Sequence, residues 1–372
     1  MDSLVFWGGV GWDDGTIWLY IFTSCLAGFF AFLSSASFSS RKSILPFVLS
    51  TIILILFKGL SISGVDVQFG GGYYLNFMSA VSLRSFRDKT VEIGFQVLTV
   101  MVRHITDSYE IYLIIVALIS VLPVMFVIWQ LRDRINLSFA VLGYSLVYLV
   151  TGMSAMRQFM AVGICLLATY YYLTNCRQRA LLLFLLSFSF HYSSACILLL
   201  VVCFLTEKKK SVQLLVAFLS VLFCFIAKSA ISGLFTGRYS IYSLNETVDF
   251  GAAAFLKYIP IFILLFAVEI RLSTGRLNEK LELNYLSHCW SILVFSFSMA
   301  LIGYIIPIFG RAESYSLPIV LVIAYLIRKC EEERFFRLPV KVLVFTYFCF
   351  RLLLYMSDSY LSEGLMPYLT WL

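Results

Sequence analysis

The chain has 372 residues, 61% of them hydrophobic and 13% charged, with a mean hydropathy of +0.91. This excludes an ordinary soluble domain, because many segments reach the roughly 20 apolar residues that span about 30 Å of hydrocarbon. The net charge of +7 reads as loop asymmetry, since cytoplasmic loops of membrane proteins gather Lys and Arg, and nucleic acid is not expected as a partner.

The segment Met1 to Gly15 carries Asp2, Asp13 and Asp14 but no Lys or Arg. It lacks the basic start of a signal peptide, so the first apolar run is expected to be a retained span. Apolar runs follow over 16–35, 44–62, 109–131, 137–153, 157–174, 180–205, 211–231, 253–270, 283–306, 311–327 and 338–356. They predict an all-α, polytopic helical bundle of about ten full spans plus one broken element. No linker or composition shift divides it, so residues 1–372 are expected to form a single integral membrane domain. The nine cysteines lie mostly inside apolar runs and form no CxxC pair, so neither a disulfide framework nor a zinc site is expected. The three histidines, His104, His191 and His288, lack metal-ligand spacing.

Basic residues cluster in alternate connections. Arg41 and Lys42, Arg132 and Arg134, Arg177 and Arg179, Lys208 to Lys210, Arg271 to Lys280 and Arg328 to Arg337 form one set. The intervening short connections carry single arginines, Arg157, Arg238 and Arg311. The positive-inside rule places the clusters in the cytoplasm and the single arginines outside, with both termini outside as well. The run 180–205 breaks the count, since basic clusters flank it on both sides. Its 26 residues would make about 39 Å of helix, too short for two full crossings. A re-entrant hairpin turning near Phe190-His191-Tyr192-Ser193-Ser194 satisfies both flanks and sets His191 in a wet cavity. The alternative is one tilted helix around a buried histidine.

The connection 63–108 is long and of mixed character. It holds Gly64-Val65-Asp66, three successive glycines from Gly70, and a helical stripe of Phe95, Leu98, Val102 and Ile105. It is expected to be an outer cap with an amphipathic helix at the interface.

Ionisable groups near a bilayer are costly and mark function. Arg157 is expected at the outer start of a helix, where the dipole and the guanidinium both favour an anion. Arg238 has Tyr239 beside it, and Arg311 has Glu313 as a ready partner. Together the three arginines suit a diphosphate, which arginine grips bidentately while staying charged in a dry site. His191 suits a general base at neutral pH. Asp66, Glu92 and Asp107 are the outer-loop acids placed to face a cavity. Lys58 and Arg351 fall within spans and call for interior partners; His104 and His288 read as structural.

These residues, in this order, resemble the EpsG-type branch of the Wzy polysaccharide polymerases. The likeness rests on Gly64-Val65-Asp66 with Tyr73 and Tyr74, Glu92-Ile93-Gly94-Phe95, Met156-Arg157-Gln158 with Ala161, Phe190-His191-Tyr192-Ser193-Ser194, Arg238-Tyr239 and Arg311. There are two departures: three glycines precede Tyr73, and Ile93 stands where the family often has proline.

The resemblance implies a metal-independent, GT-C-like glycosyltransferase without cofactor, in a bacterial cytoplasmic membrane, with its active site facing outward. It implies polyprenyl-diphosphate-linked oligosaccharides as donor and acceptor, membrane lipid as surroundings, and a chain-length regulator as a candidate partner. His191 or Asp66 would serve catalysis; Arg157, Arg238, Arg311, Gln158, Glu92 and Tyr239 would bind substrate. An O-antigen ligase and a flippase or transporter of lipid-linked saccharides are the competing readings.

Overall fold

The computed structural model describes residues 13–35, 43–86, 91–206, 209–228, 256–273, 279–332 and 337–371. Every regular element among them is a helix, and the only strand-like pairing is an isolated bridge between Ser61 and Thr370. Among the described residues six helices are long and apolar enough to cross a membrane: Asp14–Ser35, Tyr109–Gln130, Leu137–Ser154, Tyr285–Ile305, Gly310–Glu332 and Arg337–Ser357. Shorter apolar helices cover Ile44–Gly59, Ile93–Ile105, Tyr192–Leu205 and Lys210–Ile226. Large apolar side chains such as Trp18, Phe22, Leu182, Phe218, Phe223 and Phe350 are exposed. That much outward apolar surface suits lipid rather than water. The chain separates into two compact units, Met1–Tyr192 with Phe336–Leu372, and Ser193–Phe335.

The first unit holds α1 (Asp14–Ser35), α2 (Ile44–Gly59), the short α3 (Gly72–Ser79), α4 (Ile93–Ile105) and α5 (Tyr109–Gln130). Next comes α6 (Leu137–Gly143), which continues through a π-helical turn, Tyr144–Leu149, into α7 (Thr151–Ser154). Then follow α8 (Met156–Leu173) and α9 (Arg177–Phe190), and α15 (Arg337–Glu363) returns from the far end of the sequence. Polar side chains join the helices where apolar burial alone would leave register loose. Ser50 Oγ donates to the Ala27 carbonyl at 2.8 Å, and Ser138 Oγ to that of Gly28 at 2.9 Å. Gly163 lets α8 close on α5, because a Cβ there would sit 2.7 Å from the Ser120 carbonyl oxygen.

The α8–α9 hairpin sets the positions that matter most. Asn175, with φ of 62°, supplies the left-handed residue that ends a helix and reverses the chain. The helix α9 then runs back along α8, with Ser187 Oγ bonded to the Ala161 carbonyl and near Cys165 Sγ, each at 3.0 Å. The end of α9 thereby returns to the start of α8. The segment after α15 straps the same end. Ile62 N–H donates to the Leu369 carbonyl, Gly64 N–H to that of Gly364, Trp371 Nε1 to that of Gly59, and Tyr368 Oη to that of Phe57.

The expected break at 190–194 is present. Helix α9 stops at Phe190, His191 is extended at φ −157° and ψ 120°, and a 3-10 turn over Tyr192–Cys196 leads into α10 (Ile197–Leu205). The helix expected around Phe95, Leu98, Val102 and Ile105 is present as α4, and part of that stripe faces inward. It buries Phe95, Gln96, Thr99 and Val102, while Ile105 is 79% exposed. Thr99 Oγ1 faces Tyr112 Oη at 3.0 Å, a polar contact with α5 on the same buried face as Phe95 and Val102. Ile93, Val97, Met101 and Ile105 form the outward line.

The second unit contains α10, α11 (Lys210–Ile226), α12 (Ile259–Ser273), α13 (Glu279–Ile305), a 3-10 segment over Pro307–Ser316, and α14 (Pro318–Glu332). Among its described residues α11 buries only Gln213, whose amide donates to the Cys203 carbonyl at 2.8 Å and Ser291 Oγ at 2.7 Å. One amide thus docks an otherwise lipid-facing helix. None of the nine cysteines is joined in a disulfide.

Candidate active site

The site grows from a defect in a helix. In a continuous helix the Met156 N–H would bond to the Gly152 carbonyl four residues back. Here Ala155 leaves helical geometry at φ −123° and ψ 61°, and α8 starts afresh at Met156. Asp66 Oδ2 accepts the orphaned Met156 N–H at 3.0 Å. Gly64, at φ +107°, lets the loop lie this close, since a Cβ would fall 2.7 Å from the Met153 carbonyl oxygen. Both the positive φ and the close approach require glycine there. The Gly64-Val65-Asp66 motif is therefore a backbone fitting over the start of α8.

That start carries Arg157, which is 5% exposed. Its Nη1 forms an ion pair with Glu92 and its Nε donates to Tyr73 Oη. The guanidinium also lies over the rings of Tyr73 and Phe95, at 5.3 and 6.0 Å from their centroids. Glu92, 3% exposed, immediately precedes α4, and its second oxygen accepts the Tyr192 N–H at 3.4 Å. One carboxylate therefore ties the arginine to the backbone of the residue after His191. Gly94 makes this possible, because a Cβ there would meet Ser189 Oγ at 2.3 Å.

The structure thus brings Asp66, Glu92 and Arg157 together, with the half-buried His191 adjacent in sequence to a member of the network. Gln158 is buried beside Arg157 on α8. Arg311 lies in the second unit, exposed on the 3-10 segment. Glu313 pairs there with Lys257 at 2.5 Å and accepts from Tyr258 Oη at 3.0 Å. Arg238 and Tyr239 lie outside the described residues. Asp107, expected to face a cavity, does not: it is 89% exposed and pairs with Arg103 one helical turn back, as a solvated loop acid. His104 Nδ1 meets the Val100 carbonyl at 2.8 Å, and His288 packs edge-on against Phe204. Among the described residues no group of three or more His, Cys, Asp or Glu side chains gathers as a metal site.

Two participants were not legible as such. Lys58, in the last turn of α2, donates to the Gly152 carbonyl at 2.5 Å instead of pairing directly with an acid. Tyr73 appears in the sequence only as part of a motif, with nothing to reveal its bond to Arg157. Arg351, the other interior cation, donates to Tyr347 Oη at 3.2 Å.

Chemically, the cluster offers a buried guanidinium held in plane by a carboxylate and a phenol, at the N-terminus of a helix. That arrangement favours an anion that presents paired oxygens. No curated protein and no solved structure matches the chain. The model of the EpsG family matches residues 44–370, which takes in every element of this network, and the chain therefore belongs to the EpsG family of Wzy-type polymerases.

Proposed function

We propose that this protein polymerises polyprenyl-diphosphate-linked oligosaccharide repeat units at the outer face of a bacterial cytoplasmic membrane. The acceptor hydroxyl attacks the anomeric carbon of the donor, the bond from that carbon to the diphosphate oxygen breaks, and polyprenyl diphosphate leaves with the electron pair. His191 takes the hydroxyl proton. Arginines meet the charge that builds on the diphosphate, as preorganised electrostatics, so that no protein-held metal is required. Arg157 is the first of these, with Arg238 and Arg311 as its partners and Gln158 and Tyr239 toward the saccharide. Glu92 and Tyr73 fix the plane of the guanidinium, and the diphosphate is met by that fixed fork.

The observation that carries this reading is the buried Glu92–Arg157–Tyr73 network, which also reaches the backbone beside His191. An ion pair so placed is expensive to desolvate, and a task for the arginine explains its retention. Reconstitution of the purified protein with lipid-linked repeat unit tests the proposal. A ladder of products is expected. Single transfer to a lipid A core would make it a ligase, and unchanged substrate moved to the other leaflet a flippase.

A further inference from the structure

We infer that Lys58 and Asp66 act together as positioning residues that hold open a break in the backbone hydrogen bonding and thereby aim Arg157 into the site. At the first interrupted bond, 156-to-152, each of the two groups is taken by one charged side chain. The Gly152 carbonyl accepts Lys58 Nζ at 2.5 Å, and the Met156 N–H donates to Asp66 Oδ2 at 3.0 Å. Lys58 is buried, lies 5.6 Å from the centre of the Phe159 ring, and feels the Asp66 carboxylate electrostatically. Because Ala155 is not helical, the bonds that would span it are all interrupted, and regular bonding resumes with Phe159 N–H donating to the Ala155 carbonyl at 3.0 Å.

The signs of the two charges match their places. A cation sits at the carbonyl end of the Leu137–Ser154 helix and an anion at the amide end of α8, each favoured by the helix dipole it meets. The break has further room built around it. Gly152 has no Cβ, and one would lie 2.9 Å from Lys58 Nζ and 2.8 Å from Phe159. A small cavity lined by Lys58, Ser61, Ser63, Gly152, Met153 and Met156 lies alongside. A π-helical turn over Tyr144–Leu149 precedes the break, and such turns commonly mark functional sites. Without the pair, the 156-to-152 bond can close and the start of α8 can rotate, carrying Arg157 with it. Asp66 is on this account a helix cap and not the base of the reaction.

The consequence for substrate rests on the proposed diphosphate site, and two measurements keep the two ideas separable. Hydrogen–deuterium exchange on the full chain in nanodiscs reads the clamp alone. In Lys58→Met and in Asp66→Ala, exchange over residues 151–158 should rise at least tenfold while α5 and α9 are unchanged. Asp66→Asn, which keeps an acceptor oxygen, and Lys58→Arg, which keeps a cation, should show smaller effects. Unchanged exchange over 151–158 in both Lys58→Met and Asp66→Ala overturns the clamp. The second measurement is binding of farnesyl diphosphate as probe. Lys58→Met should weaken it about tenfold, Arg157→Lys likewise, and the double variant no more than the worse single one. Independent, multiplying losses would overturn the positioning role. Altered exchange with no probe binding by the wild type would leave the clamp standing and count against the diphosphate reading.

Discussion

At the scale of single residues, the ion pair between Arg157 and Glu92 determines how the site must be tested. Removing one member of a buried pair leaves an uncompensated charge, and typically destabilises by about 3–5 kcal/mol. Glu92→Gln and Arg157→Met are each expected to lower the thermal midpoint in detergent. The double variant should lose less than the sum, because neither charge is then stranded. Additive losses would show that the pair does not couple. For activity, Arg157→Lys should be nearly as harmful as Arg157→Ala, on the order of 10²-fold for one transition-state stabiliser, because lysine keeps the charge but loses the fork that Glu92 and Tyr73 orient. His191→Gln should reduce polymerisation by about 10²–10⁴-fold, as expected for loss of a general base, with the protein inserted at normal levels. Asp66→Asn should retain most of its activity, since an amide oxygen can still cap Met156. Normal polymer from His191→Gln beside a dead Asp66→Asn would reverse those roles. Arg157 and His191 were legible because an ionisable group in an apolar sequence stands out. Glu92 was legible as a loop acid only. Its burial depends on a partner 65 residues away, which nothing local records.

At the scale of elements, the period of α4 was readable and its facing only in part. Apolar spacing points to Phe95, Leu98, Val102 and Ile105; the helix buries Phe95 and Val102, leaves Ile105 exposed, and turns Gln96 and Thr99 inward as well. Gln96 bonds the Val91 carbonyl at 2.5 Å, and Thr99 meets Tyr112. Those buried hydrogen-bonding groups, which apolar spacing does not show, share the inward face. The same helix must approach α9 closely enough for Glu92 to reach the Tyr192 amide. Gly94 permits that approach against the backbone of Ser189, where a Cβ would fall 2.7 Å from its carbonyl oxygen. Backbone cannot yield as a side chain does. Gly94→Ala is therefore expected to push α4 outward, break the Tyr192 contact and depress polymerisation more strongly than it depresses stability. Overpacking of this kind typically amounts to about 1–3 kcal/mol. Wild-type activity in Gly94→Ala, at wild-type protein levels, would show that the α4–α9 approach is not needed for the site. The broken helix at His191, by contrast, was legible from flanking charge alone, because no single span can satisfy basic clusters at both ends.

At the scale of the whole molecule, charge parity and helix packing make a joint prediction about sidedness. The sequence assigns Arg177 and Arg179 to the cytoplasm by the positive-inside rule. Packing adds what the sequence could not show: the strap after α15 lies on the Asp66 side of the first unit. Thr370 pairs with Ser61, Gly364 accepts from Gly64, and Asp66 caps the start of α8. Gln178 follows the other end of that 18-residue helix, about 27 Å away at 1.5 Å per residue. Gln178 and Thr370 are both exposed, so each can report its side. In a background lacking the native cysteines, Thr370→Cys should react with a membrane-impermeant maleimide in intact cells. Gln178→Cys should react only after the membrane is opened. Labelling of both from outside would separate the packing from the membrane and undo the assignment of Arg157 and His191 to the outer face. Labelling of Gln178→Cys alone would invert the protein, placing the diphosphate site in the cytoplasm, where a polymerase acting on exported repeat units could not use it.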